Sequence, residues 1–309
     1  MANSLGTTLG DNISQSVLDH LVEAMPPLMR FYMGFSDQRA RKDETIKTRI
    51  PSVTAAYDAS GGYSAKDVTG TDVSVTASNF KATSASFSPS EMSSTNRDLV
   101  SEFAAPLASA LAEGLLNDFY SIITASAFTN SNVKVAADMD SDTCRLMRKK
   151  LSARKAPLIG RLGVLNGDAY EALTGDPLVN SINSNPAAHD VVSLAPASFV
   201  HAGATWFEAP NLPNNSEALN GFQIAPGAIV GATGVPRDAN EDGLVGWEDV
   251  PKNAAVRVVT DLDDEGQGTG ISVLERRTRK EDGSAQIDYA WIYGFAAGNA
   301  ALLERVTES

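Results

Sequence analysis

The sequence predicts an α+β protein built around one long helix, on three observations. Leu99, Phe103, Leu107, Leu111, Leu115, Phe119 and Ile123 recur every four residues. Residues four apart share a helix face, so the stripe reads as one amphipathic helix of about eight turns, against about three in a typical helix. Ahead of it, residues 36–92 are rich in Ser and Thr, hold few large apolar side chains and lack helical spacing. Behind it, the chain ends in three β-rich runs, AAVRVVTDL, ISVLERRTRK and AQIDYAWIYGFAAG. The turn-forming stretches DDEGQGTG and EDGSA separate these runs and predict an antiparallel meander.

Each element follows from local pattern. Ile13, Val17, Leu18, Leu21, Val22, Met25 and Leu28 have helical spacing broken by Pro26 and Pro27, which predicts an N-terminal arm with one short helix. Segments 44–54 and 71–88 favour strand, and Gly61, Gly62 and Gly70 mark turns between them, so a long two-stranded loop is expected. A lone hairpin is marginally stable in water, and this arm buries little by itself, so it is expected to lie on a neighbouring molecule. The long helix is expected to start at Ser93–Asn96, where short polar side chains cap free N–H groups and Asp98 favours the positive helix end. Pro106 removes a hydrogen bond inside it at a cost of about 3 kcal/mol, and a bend is expected there. Between 138 and 235, DSDTCRLMRKKL and GDAYEALTG read as helices and RLGVLNG as a buried strand, an α/β region of about 100 residues.

Composition narrows the function. The chain has 309 residues, 43% of them hydrophobic and 20% charged, the profile of a globular protein with a sizeable core. Its net charge of −13 opposes general attraction to nucleic acid or anionic membrane. One cysteine, Cys144, allows no internal disulfide and fits a reducing compartment. The N-terminus lacks a basic region followed by an apolar core, and no run approaches the ~18 apolar residues of a membrane span, so a soluble cytoplasmic product is expected.

Catalytic patterns are sparse. His20, His189 and His201 are too scattered to make a metal cluster or triad by spacing. Neither G-x-S-x-G nor G-x-x-x-x-G-K-[ST] occurs. Gly266, Gly268 and Gly270 fall between two strand patterns and read as a hairpin turn. Two basic runs, Arg148–Lys155 and Arg276–Lys280, read either as a solvated helix face and a charge-protected strand edge or as surfaces that pair with acid on another subunit.

One motif is sharper. Asp238, Asn240 and Asp242 occupy positions one, three and five of a loop with Gly243 at six, Val245 at eight and Asp249 at twelve. That spacing gives a calcium ion its oxygen ligands, the glycine providing the sharp turn, and Asp238, Asn240, Asp242 and Asp249 are the candidate Ca2+ ligands. Aspartate at twelve resembles dockerin loops rather than sensor EF-hands, and Pro251 stops an exiting helix. The same residues also fit an acidic, Asx-rich turn.

The order and proportion of these parts, with the phrases LAEGLLNDFYSII and VPKNAAVRVVTDLD, resemble the major capsid proteins of tailed bacteriophages, a fold shared with encapsulins. The resemblance implies an N-terminal arm at 1–35, an extended β loop at 36–92, the spine helix and start of the peripheral domain at 93–134, an axial α/β domain at 135–249 and returning peripheral strands at 250–309. Pro106 and the calcium-like loop depart from what the family requires. The implied function is structural, with no catalytic residues and no required cofactor. The subunit would form pentamers and hexamers of an icosahedral head around double-stranded DNA, in the virion, after synthesis in the host bacterial cytoplasm and without membrane attachment. Many members of that family carry a long N-terminal scaffolding segment, whereas this sequence reaches the arm at once, so the resemblance implies either a separate scaffolding protein or assembly without one, with a portal and decoration proteins as further implied partners. Lys66 and Lys81 in the extended loop read as solvated lysines rather than crosslink donors. The alternatives are an encapsulin-type compartment shell and, from another class, a calcium-dependent soluble enzyme or binding module.

Overall fold

In the computed structural model the described residues are 42–51, 58, 60, 70–94, 99–179, 198–209, 212, 217–236, 254–260 and 272–308. They form two compact units. The described residues of Met1–Glu44, Thr76–Phe119 and Gly231–Gly294 make one, and those of Thr45–Val75, Tyr120–Val230 and Phe295–Ser309 the other.

The first unit carries the expected meander. Strands β10 (Ala254–Thr260), β11 (Ser272–Arg279) and β12 (Ala285–Ala297) pair antiparallel in that order. Strand β3 (Asn79–Phe87) pairs antiparallel with the far edge of β12, Phe87 opposite Ala285 and Asn79 opposite Tyr293. β9 (Ile229–Gly234) also pairs with β12. This corrects the reading of segment 71–88 as part of the extended loop. Only β2 (Gly70–Thr76) pairs with β1 (Thr45–Pro51), as a separate two-stranded ribbon, and the chain then turns at Ala77–Ser78 into the five-stranded sheet. In β12, Ile287, Tyr289, Trp291 and Tyr293 alternate along one face and are all buried, with Trp291 and Tyr293 edge to face at 5.6 Å. Their period of two is the strand signal.

Helix α1 (Pro89–Ser94) opens with a reciprocal cap. The Ser88 N–H donates to Glu91 Oε2 at 2.8 Å and the Glu91 N–H to Ser88 Oγ at 3.3 Å, with Pro89 at the first helical position, where its missing N–H costs nothing. Helix α2 (Leu99–Ser121) is the long helix, 23 residues and about six turns. Of the expected start at Ser93–Asn96, Ser93 and Ser94 belong to α1 and residues 95–98 lie outside the described residues; from Leu99 the helix runs without interruption through Pro106. Leu111, Leu115 and Phe119 on it are buried, whereas Phe103 is 42% exposed and Leu107 half-buried. The spacing thus marks a face, but only its C-terminal half is covered.

The second unit is a six-stranded mixed sheet ordered β4 (Ser131–Val133), β13 (Leu303–Thr307), β8 (Leu219–Ile224), β5 (Leu162–Leu165), β7 (Ala204–Glu208), β6 (Ser198–His201). The β13–β4 and β5–β7 pairs are parallel and the others antiparallel. Every residue of β5 is buried, as the apolar run RLGVLNG implies. Helices α3 (Ser141–Ala153) and α4 (Gly167–Gly175) match the expected segments. The Asp140 side chain caps α3 by accepting from the Thr143 N–H at 2.7 Å, and Asn166 caps α4 through the Ala169 N–H at 2.9 Å. Both helices pack onto the sheet through Cys144, Met147, Ala169, Tyr170, Leu173 and the Trp206 indole. Gly163 is required here, because a Cβ on it would sit 2.1 Å from the Trp206 ring.

Candidate functional site

Asp238, Asn240, Asp242 and Asp249, together with the Gly266–Gly270 turn, His20 and His189, lie outside the described residues. Among the described residues, no group of three or more His, Cys, Asp or Glu side chains is placed to hold a metal ion. No described helix is long and apolar enough to cross a membrane.

Three features carry unusual chemistry. The first is a buried carboxylate in the second unit. Glu304 on β13 is 1% exposed and accepts from Lys150 Nζ at 3.1 Å, Arg154 Nη2 at 2.6 Å and Asn132 Nδ2 at 3.0 Å. Lys150 also donates to Asn132 Oδ1. Lys150 and Arg154 sit four apart on α3, so one helix face delivers both cations to one acid. The basic run is therefore not wholly a solvated face: Arg148, Lys149 and Lys155 are exposed, while Lys150 and Arg154 turn inward. The other basic run also differs from expectation. β11 is flanked by β10 and β12, so Arg276 and Arg277 guard no open edge, and Arg277 pairs with the buried Glu275.

The second feature joins residues distant in sequence. Ser141 Oγ lies 2.8 Å from His201 Nε2, while Asp176 Oδ2 accepts the Ser141 N–H at 2.7 Å. Asp176 is thus committed to the serine backbone rather than aimed along the imidazole, and Ser141 is fully buried, so the trio cannot attack a substrate in the manner of a hydrolase. No local signal marks this pair, since sixty residues separate its members. Burial and the Arg145 guanidinium hold His201 below its ordinary value of 6.5, partly offset by Asp176. The unfolded chain consequently takes up this proton at higher pH than the folded one. The contribution to stability is full above about pH 6.5 and is lost as pH falls through 6.5 toward the folded value. Melting temperature is expected to fall between pH 7 and 5, with a shallower slope in His201→Gln. Equal slopes for parent and variant would assign the pH dependence to other groups.

The third feature, in the first unit, is a cavity of about 420 Å³ lined by Thr83–Phe87 of β3 and by Phe103, Pro106 and Leu107 of α2. It lies along the uncovered half of the stripe. Phe87 and Phe103 meet within it at 5.5 Å between ring centroids. Its described lining is mostly apolar and hydroxylic, with Glu91 the one carboxylate among the described lining residues. Among those residues there is no acid–base pair or nucleophile–base pair for turnover.

No family model matches the chain and no curated protein matches its sequence. Solved structures do match its fold. The capsid of the cyanophage P-SCSP1u aligns over 87% of this chain and 85% of its own, with a TM-score of 0.56 at 9% identity. The capsid of Ralstonia phage GP4 aligns over 89% and 86%, with a TM-score of 0.54 at 8% identity. A virus-like particle from Pyrococcus furiosus aligns over 96% and 97%, with a TM-score of 0.51 at 8% identity. The chain therefore has a mixed helix-and-strand fold of the phage capsid kind. At such low identities it is the fold that is shared.

Proposed function

We propose that the chain is a major capsid protein, a structural subunit that self-assembles into the icosahedral head shell enclosing the double-stranded DNA of a tailed phage. The observation that carries this reading is the extent of the fold match: nearly the whole of this chain aligns with nearly the whole of capsid and virus-like-particle subunits. The net charge of −13 suits a wall that encloses DNA without gripping it, since like charge keeps the polymer free of the inner surface. On this reading the subunits group as pentamers and hexamers, and the protein works in the virion, with scaffolding, portal and decoration proteins as its partners.

The test is assembly of the purified chain. Size-exclusion chromatography is expected to give a megadalton species that electron microscopy resolves as closed shells. Deleting Ala55–Thr71 is expected to leave a soluble folded subunit that forms none, because that segment has too few large apolar residues to be held by its own chain. A chain that stays monomeric at every concentration would overturn the reading, and normal shells from the deletion would overturn the role given to the loop.

A further inference from the structure

The turn between α3 and β5 is held rigidly yet presents apolar side chains to solvent. α3 ends in a paired-bond cap: the Ala156 N–H donates to Leu151 O at 3.0 Å and the Lys155 N–H to Ser152 O at 3.0 Å. Lys155 takes the left-handed conformation, φ 62°, that such a cap requires and that glycine usually supplies. Ala156 then packs with Leu151 and Ala225 in a small buried cluster. From below, the buried Arg161 guanidinium donates to Pro157 O at 2.7 Å, Ala156 O at 2.9 Å and Ser152 Oγ at 3.1 Å. Gly160 closes the turn with φ 79°. At the tip, Leu158 is 64% and Ile159 89% exposed.

A flexible loop could fold such side chains inward. This one is fixed in the outward arrangement, and a preorganised apolar projection loses little entropy when something covers it. Its surroundings indicate the charge of the cover. Residues 141–161 hold seven Lys and Arg against the single Asp142, although the whole chain is at −13. Arg148 and Lys149 in the last two turns of α3 and Lys155 directly before the tip are exposed, so an apolar knob follows a basic helix end on a chain that is otherwise strongly acidic.

We propose that the Ala156–Gly160 tip, with the basic helix end before it, docks on an acidic surface of a second copy of this chain. The proposal rests on the shell reading and names one contact within it. Charge complementarity favours another copy, because the remainder of each chain is more acidic than its total. The uncharged tip distinguishes such a partner from a phosphate backbone, which the basic helix end alone would attract but which offers Leu158 and Ile159 nothing to cover them. A contact of this kind joins different patches on successive copies, the geometry that closes rings.

The experiment uses the full chain with Ile159→Cys, labelled by a maleimide in assembled particles and in dissociated subunits. Cys144 is buried, so labelling of the folded chain reports position 159. Labelling is expected to slow about tenfold or more in the particle, the factor that a modest docking free energy produces. Leu158→Ser combined with Ile159→Ser, and separately Lys149→Glu combined with Lys155→Glu, are expected to lower particle yield by a similar factor with unchanged melting of the subunit, since these side chains are exposed. If the unaltered chain never assembles, the shell reading falls and takes this contact with it. If particles form but the introduced thiol labels equally fast in both states, or the serine pair assembles like the parent, the docking proposal alone is overturned. It is equally overturned if the charge reversals leave assembly intact and instead abolish binding of a short DNA duplex to free subunits, because the basic helix end would then serve a polyanion.

Discussion

Glu304→Ala is expected to destabilise the protein by about 3–5 kcal/mol, the usual cost of breaking a buried ion pair by removing one partner. The carboxylate accepts from Lys150, Arg154 and Asn132 while itself almost wholly buried. Its loss takes the carboxylate acceptor from Arg154 and the Asn132 amide at the junction of α3, β4 and β13, and leaves Lys150 to Asn132 Oδ1 and Ser131 O. Arg154 Nε is already without a hydrogen-bond partner, as is the side-chain amide of Gln223, which sits opposite Glu304 on β8, so a further unmatched charge falls where polar groups are already unsatisfied. Glu304→Gln keeps one oxygen and is expected to lose less. The informative variant removes the whole cluster: Glu304→Leu with Lys150→Met and Arg154→Leu is expected to recover much of the loss, because burying charges costs desolvation that apolar packing avoids. Denaturant unfolding measures all three. If Glu304→Ala changes the midpoint by an amount worth less than about 0.5 kcal/mol, the size of an ordinary surface change, the carboxylate is solvated and the network is not as described.

What the sequence discloses and what it withholds divide by range. α3, α4 and β5 follow from patterns within a dozen residues, and the β10–β12 meander from runs separated by turn-forming stretches, so each is legible from its own segment. β3 looks like more of the extended loop, because its partner, residues 285–293 on β12, lies some two hundred residues away and no local pattern announces the pairing. The Glu304 network is hidden for the same reason. An i, i+4 pair of cations on α3 reads as a solvated face until a strand from the C-terminus brings an acid beneath it. The apolar tip could have been noticed as the uncharged run APLIG between basic residues. Its exposure could not, because the same letters would suit a buried turn equally well.

The long helix puts this distinction to a quantitative test. Leu115→Ala is expected to cost about 2–5 kcal/mol, since Leu115 is fully enclosed and its removal leaves a cavity beside Leu111 and Phe119. For a protein of this size that is several degrees in melting temperature. Phe103→Ala lies on the same stripe and deletes a larger side chain, yet is expected to cost under about 1.5 kcal/mol, the value of one aromatic contact, because Phe103 is 42% exposed and its ring meets that of Phe87. A reading from periodicity alone ranks the phenylalanine deletion as the worse of the two. The structure reverses that order, because covering begins only in the C-terminal half of α2. Tyr293 of β12 reaches this C-terminal half of α2, its hydroxyl donating to Asp118 Oδ2 at 2.6 Å. Calorimetry of the two alanine variants decides between the rankings. Equal losses would place Phe103 under cover and abolish the open groove between α2 and β3, whereas a loss below about a degree for Leu115→Ala would mean that the buried face of α2 is turned the other way.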